Sequence, residues 1–304
     1  MKPVLVTHGG TSSDVSQSDG CLAAAYAGHE SMDGGGDSLA AVVSAVGVLE
    51  ADGRFNAGLG ASLGMDGRTM SCDAAVMDSA GRLGAVANLV EVPYPVKVAV
   101  RVTDTPHHLL VGIGALEFAK RLGLHRPYEP TATAVAEFRE HHAAIQNAPE
   151  RTSGSADDSQ DDDGLAAIKQ FWNFPGSWND AIDQWAQNTV GAVARDASGR
   201  FAVAISTGGC MPALLGRVGD SPLIGCGFYA GPAGAIACTG IGEHIMRHML
   251  AARIYMALEL GIGLRRAIDD GMRRLPEHVE VGVIGITAEE SEVVSRKPMA
   301  SAQK

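Results

Sequence analysis

The chain has 304 residues, enough for one large domain or two small ones with a sizeable core. A formal net charge of −11 argues against a nucleic-acid backbone or an anionic membrane as the main partner. Five cysteines without Cys-x-x-Cys spacing read as buried thiols of a reducing compartment, and Met1–His8 has too short an apolar run for a signal peptide, so a cytoplasmic setting is expected.

In chain order, residues 2–7 read as a short buried strand. Leu39, Val42, Val43, Val46 and Leu49 then fall at helical spacing over residues 38–50, with Asp37 as the N-cap. A glycine-rich loop, 55–64, follows, and then two strand-like runs, 70–77 and 82–89, joined by the turn 78–81. Helical patterns cover 95–101, 114–122 and 132–142. Residues 147–164 are rich in Ser, Gly, Pro and Asp, and such a stretch cannot offset ordering entropy, so a mobile exposed linker is expected there. Order is expected to return through Trp172, Trp178 and Trp185. Strand-like runs 189–196 and 201–207 follow, then a strand 233–239, a helix reaching about Leu260, and a final strand pair, 279–287 and 292–295.

Three motif matches lack their context. Gly60-Ala-Ser62-Leu-Gly64 fits a nucleophile elbow on paper, but a glycine loop precedes it where a strand is needed. Gly112-Ile-Gly114 is a dinucleotide fingerprint short of its third glycine and its acidic partner. His244 and His248 lie four apart on a helical stretch, without the internal glutamate of His-Glu-x-x-His, so a packing or surface role outweighs a metal site.

Thr189 opens the strand Thr-Val-Gly-Ala-Val just beyond the linker, and by itself a strand threonine is unremarkable. Its interest comes from Ser206-Thr-Gly-Gly209, Gly216-Arg-Val-Gly-Asp-Ser-Pro222 and Cys238-Thr-Gly-Ile-Gly-Glu243. Together these supply hydroxyls, backbone amides, a guanidinium and a carboxylate: parts for attacking an amide, holding its oxyanion and clamping an amino-acid zwitterion.

With His8-Gly-Gly10, Phe55-Asn-Ala-Gly58 and Asp104-Thr-Pro-His107, in that order and spacing, the chain resembles the isoaspartyl peptidase/L-asparaginase (plant-type asparaginase) family of N-terminal-nucleophile hydrolases. The resemblance implies an α+β fold, a four-layer αββα sandwich spanning 1–304. It implies self-cleavage between Asn188 and Thr189, giving an α chain, 1–188, and a β chain, 189–304. Thr189 would then be nucleophile and, through its freed α-amine, base. Thr207 would tune it, and Thr239 with the Gly240 amide would hold the oxyanion. Arg217 would pair with the substrate α-carboxylate, and Asp220, helped by the Gly242 carbonyl, with its α-ammonium. Asn56 would help hold the site. The implied reaction is hydrolysis of β-aspartyl amides, in isoaspartyl dipeptides or L-asparagine, with no catalytic cofactor. A structural Na⁺ whose ligands the sequence does not name, and a homodimer of αβ units, come with the same resemblance.

The chain departs from its apparent relatives at three places. Asn188 stands where they carry glycine or aspartate, Cys210-Met-Pro-Ala213 replaces a more polar Met-Thr-Asn-Lys, and Ile241 replaces a common threonine. A glycosylasparaginase-like or protein-cutting threonine aspartase specificity stays open. So does an uncut, non-enzymatic binding protein, and more distantly a metalloenzyme built on His244 and His248.

Overall fold

The computed structural model describes residues 1–11, 13–146, 189–211 and 213–304. The expected linker at 147–164, the three tryptophans and Asn188 lie outside the described residues. Eleven strands run β1 (Val4–Thr11), β2 (Ser71–Asp78), β3 (Leu83–Val90), β4 (Leu109–Val111), β5 (Val190–Arg195), β6 (Phe201–Thr207), β7 (Phe228–Gly231), β8 (Gly234–Gly240), β9 (Val281–Ile286), β10 (Ser291–Ser295) and β11 (Met299–Gln303), counted among the described residues. The helices are α1 (Ser18–Asp33), α2 (Ser38–Asp52), α3 (Pro95–Val102), α4 (Gly112–Arg121), α5 (Ala132–Gln146), α6 (Gly242–His248), α7 (Leu250–Glu259) and α8 (Leu264–Met272).

The strands form a seven-stranded sheet, β11-β1-β5-β6-β2-β3-β4, and a four-stranded one, β10-β9-β8-β7. Alternation of side chains along each strand decides what every face covers. Ala192 and Ala194 of β5, Ala202 and Ala204 of β6, and Ala74 and Val76 of β2 pack outward against Ala24, Val42, Val46 and Val98 of α1, α2 and α3. Their neighbours Val193, Val203, Ile205 and Ala75 point the other way, against Phe228, Ala235, Ala237 and Ile284 of the second sheet. Ile236 and Cys238 of β8 in turn face Ile245, Ile254 and Ile268 of α6, α7 and α8. Helix, sheet, sheet and helix are therefore four layers, the expected αββα arrangement.

Asp37 caps α2 as expected, its Oδ1 accepting from the Ala40 N–H at 2.9 Å. Two expectations need correction. The helix read as continuous to about Leu260 is broken at Met249, whose φ of 47° is left-handed, into α6 and α7. The closing strand pair is followed by a third strand, β11, which returns to pair with β1 in the other sheet. The cysteines are free thiols, with Cys21, Cys72, Cys210 and Cys238 buried.

Candidate active site

Parity along the strands brings the site together. Gly191 and Val193 of β5 face the space between the sheets, so Thr189, two residues earlier, faces it too. The same count turns Thr207 of β6, Asp73 of β2, Thr239 of β8 and His8 of β1 inward. Val190 pairs with Ser206 in the β5–β6 ladder, and the next step along it sets Thr189 beside Thr207. Asp73 pairs with Thr207 on the other side of β6. Thr189 is only 3% exposed, and its Oγ1 lies 3.4 Å from the Ser221 Oγ.

Gly191 marks where the layers close behind Thr189. A Cβ there would lie 2.5 Å from the His8 Nε2 and 3.3 Å from the Ala237 Cβ, so glycine alone lets the imidazole and the second sheet approach. The His8 Nδ1 accepts the Gly10 N–H at 3.2 Å, which assigns the ring proton to Nε2. Complete burial holds this imidazole down to about 3, partly offset by the Thr189 backbone, so it is neutral at any working pH.

The glycine-rich loop after α2 is tied to the end of β6 through Asn56. Its Nδ2 donates to the Gly209 carbonyl at 2.7 Å and its Oδ1 accepts from the Ser62 N–H at 2.9 Å. The Gly208 N–H returns to the Asn56 carbonyl at 2.9 Å. Ser62, the serine of the apparent elbow, is thus a backbone partner of Asn56. Gly209 in turn donates its N–H to the Thr207 Oγ1 at 3.2 Å, fixing that hydroxyl as an acceptor.

On the far sheet, the Thr239 Oγ1 accepts from the Thr11 N–H at 3.3 Å, which leaves the hydroxyl proton for another partner. Gly240 beside it has φ of 139°, a conformation essentially reserved for glycine, and a Cβ there would run into the Glu280 carbonyl across the β8–β9 ladder. Gly240→Ala is therefore expected to displace the β8 terminus and, if Gly240 holds the oxyanion as the family resemblance implies, to cost at least about 100-fold in turnover. Steady-state rates beside a thermal melt would check this, and unchanged kcat would remove Gly240 from the site.

Arg217, Asp220 and Gly242 meet as expected. A Cβ on Gly242 would sit 2.9 Å from both the Arg217 Nη2 and the Asp220 Oδ1. Asp220 is buried and its Oδ2 has no hydrogen-bond partner among the described residues. Burial, aided by the nearby Glu243 and Asp73 carboxylates and opposed by Arg217, pushes its carboxyl up to about 7. An orphaned buried acceptor of this kind is costly unless a ligand completes it.

Sequence reasoning missed three participants. Glu243 takes the Arg217 guanidinium in a forked pair, at 3.0 Å from Nε and at 2.9 and 3.0 Å from Nη2. Ser221 stands against the Thr189 hydroxyl. Asp73 is buried behind Arg217, its carboxyl raised to about 6, chiefly by burial, despite N–H donors at Asn88 and Gly219 and the Arg217 charge. Glu243 and Ser221 sat inside quoted motifs; Asp73 carried no local signal. His244 and His248 take the packing role favoured by the sequence: the His248 Nδ1 donates to the His244 carbonyl at 2.8 Å, and the His244 ring meets His278 edge-on. Among the described residues, no group of three or more His, Cys, Asp or Glu side chains is arranged to hold a metal.

The chain is similar to known proteins. A family model described as Asparaginase matches residues 1–299. The isoaspartyl peptidase/L-asparaginase of Xenopus laevis is 36% identical over 287 residues, covering 92% of this chain and 83% of the relative. The isoaspartyl peptidase of Salmonella typhimurium is 38% identical over 237 residues, covering 77% and 68%. The plant-type L-asparaginase of Pyrobaculum calidifontis is 36% identical over 259 residues, covering 83% and 78%.

Proposed function

The chain belongs to this asparaginase family, and from that membership we propose that it is a self-cleaving threonine hydrolase acting on β-aspartyl amides, in isoaspartyl dipeptides, L-asparagine or both. The observation that carries the reading is the buried Thr189 hydroxyl, set beside Thr207 and Ser221 in the inter-sheet space.

Self-cleavage begins with the Thr189 hydroxyl attacking the Asn188 carbonyl in an N→O acyl shift. The shift breaks the peptide C–N bond and frees the α-amine of Thr189, and water then hydrolyses the resulting ester, releasing the Thr189 hydroxyl and ending an α chain at residue 188. An α-amine titrates near 8, so at neutral pH and above it is available to take the proton of its own hydroxyl. A threonine inside a chain has no such base, which is why the cut must come first.

In turnover, the Thr189 Oγ attacks the side-chain carbonyl of a β-aspartyl group held by its α-carboxylate at Arg217 and its α-ammonium at Asp220. The Gly242 carbonyl is the second acceptor for that ammonium. The Thr239 hydroxyl and the Gly240 N–H receive the oxyanion, and the Thr207 hydroxyl steadies the nucleophile. The amine leaving group departs with the proton from the Thr189 amine. Water then cleaves the β-aspartyl ester and releases aspartate.

A structural Na⁺ belongs to the same reading, as the family resemblance implies. A homodimer of cleaved αβ units accompanies the same reading.

The test is direct. Denaturing electrophoresis and intact mass should show fragments 1–188 and 189–304, and the cleaved protein should hydrolyse β-aspartyl-leucine, asparagine or both. Parallel assay of N-acetylglucosaminyl-asparagine decides the glycosylasparaginase-like alternative. A protein that stays whole on long incubation and turns over none of these would leave an uncut binding protein as the reading.

A further inference from the structure

The pairing between β2 and β3 slips beside Asp73. Cys72 pairs with Leu89 and Ala74 with Val86, so β3 carries an extra residue opposite Asp73. Within that bulge Asn88 adopts φ of 50°, left-handed backbone that is costly for any residue but glycine, and asparagine tolerates best. What the distortion delivers is the Asn88 N–H, donated to the Asp73 Oδ1 at 2.8 Å. The other carboxylate oxygen, Oδ2, accepts the Gly219 N–H at 3.4 Å. Asp73 therefore bridges a distorted sheet position on one side and the middle of the Gly216–Pro222 segment on the other.

That segment carries Arg217, Asp220 and Ser221, three groups at the site, and is mostly without regular secondary structure. Glu243 pairs with the Arg217 guanidinium, and the Asp220 and Asp73 carboxylates both feel its charge. A buried acid at this place in β2 has a stability cost that a well-packed apolar residue would avoid. Strain in β3 and a buried charge converging on one loop are what functional positioning looks like.

We propose that Asp73 is a positioning residue for substrate binding: by accepting the Gly219 N–H and facing Arg217, it fixes the loop that holds the α-carboxylate and α-ammonium of the β-aspartyl substrate. This rests on the function proposed above. Asp73 touches neither the scissile bond nor the nucleophile, so its loss acts on binding far more than on chemistry.

The experiment is a KM-against-kcat comparison of wild type, Asp73→Asn and Asp73→Ser on a β-aspartyl dipeptide, with calorimetric affinity for L-aspartate, the product that carries both α groups. Both variants should still cut before Thr189. KM and the aspartate dissociation constant should rise at least about tenfold, with kcat within about threefold. Unchanged KM and aspartate affinity with only a lower melting temperature would overturn the proposal, as would a fall confined to kcat. Failure of both variants to fold would make Asp73 a stability residue and overturn it equally. If wild type itself turns over no β-aspartyl substrate, the functional reading fails; if wild type is active and the variants match it, only the role of Asp73 fails.

Discussion

Thr189→Ala should give a protein that folds, never divides into 1–188 and 189–304, and loses at least on the order of 10⁴-fold in β-aspartyl hydrolysis. Both losses follow from one atom. The hydroxyl that would attack the Asn188 carbonyl in the precursor is the hydroxyl that would attack the substrate afterwards, and alanine supplies neither. The fold should survive because Thr189 precedes β5 and its hydroxyl makes a side-chain contact only to Ser221 among the described residues, while the apolar cluster between the sheets is untouched. Losing this 3.4 Å contact leaves the buried Ser221 hydroxyl one partner short, a cost of about 1–3 kcal/mol that a domain of this size can bear. Thr189→Ser separates the two roles of the side chain. It retains the oxygen and the future amine but drops the methyl that fixes the rotamer, so cleavage and turnover should persist at reduced rates. Intact mass over days and initial rates on β-aspartyl-leucine read both outcomes. Substantial turnover by the alanine variant would mean that another nucleophile acts.

The layers were readable where side-chain period and turn chemistry agreed. β5 and β6 announce themselves through Val190–Arg195 and Phe201–Thr207 around the turn at Ser198-Gly199, and α2 through its Asp37 cap. α1 was not legible because its buried face is built of Gly20, Ala24, Ala25 and Gly28, small residues that leave little hydrophobic contrast. Gly28 is there for contact: a Cβ would press on the Leu5 side chain and the Ala41 carbonyl. β11, Met-Ala-Ser-Ala-Gln, lacks β-branched residues and is a strand only because β1 offers it an edge. The same division runs through the site. Thr189, Thr207, Arg217, Asp220, Thr239 and Gly240 sit in short glycine-bearing motifs whose order signals the family. Asp73 owes its place to a bulge in a neighbouring strand and to a loop 146 residues away in sequence, which no local pattern encodes.

Asp220→Asn should lower kcat/KM for a β-aspartyl dipeptide by about 100- to 1000-fold, the 2–4 kcal/mol typical of removing one partner from a buried charge pair. The loss should fall mainly on KM, with cleavage before Thr189 intact. The orphaned Oδ2 can complete itself only with a donor, and a substrate ammonium pairs with the ionised carboxylate. Because burial beside Glu243 and Asp73 raises that carboxyl to about 7 against the pull of Arg217, wild-type kcat/KM should fall as pH drops below about 7. The Thr189 amine, which must be neutral to act as base, adds a second acid limb near 8. In Asp220→Asn the lower limb should vanish and the upper one remain. Stability should move the opposite way. A carboxyl whose folded pKa lies above its unfolded value keeps its proton in the native state, so its contribution is fullest below about 4 and is lost as pH rises through about 7. At pH 8 wild type holds a buried charge whose Oδ2 is unsatisfied and that the amide removes, so the variant should melt no lower than wild type there while binding far worse. A variant that binds normally and melts lower would place Asp220 among the structural acids. Loss of binding with stability kept or gained is the signature of a carboxylate held in an unfavourable place for its ligand.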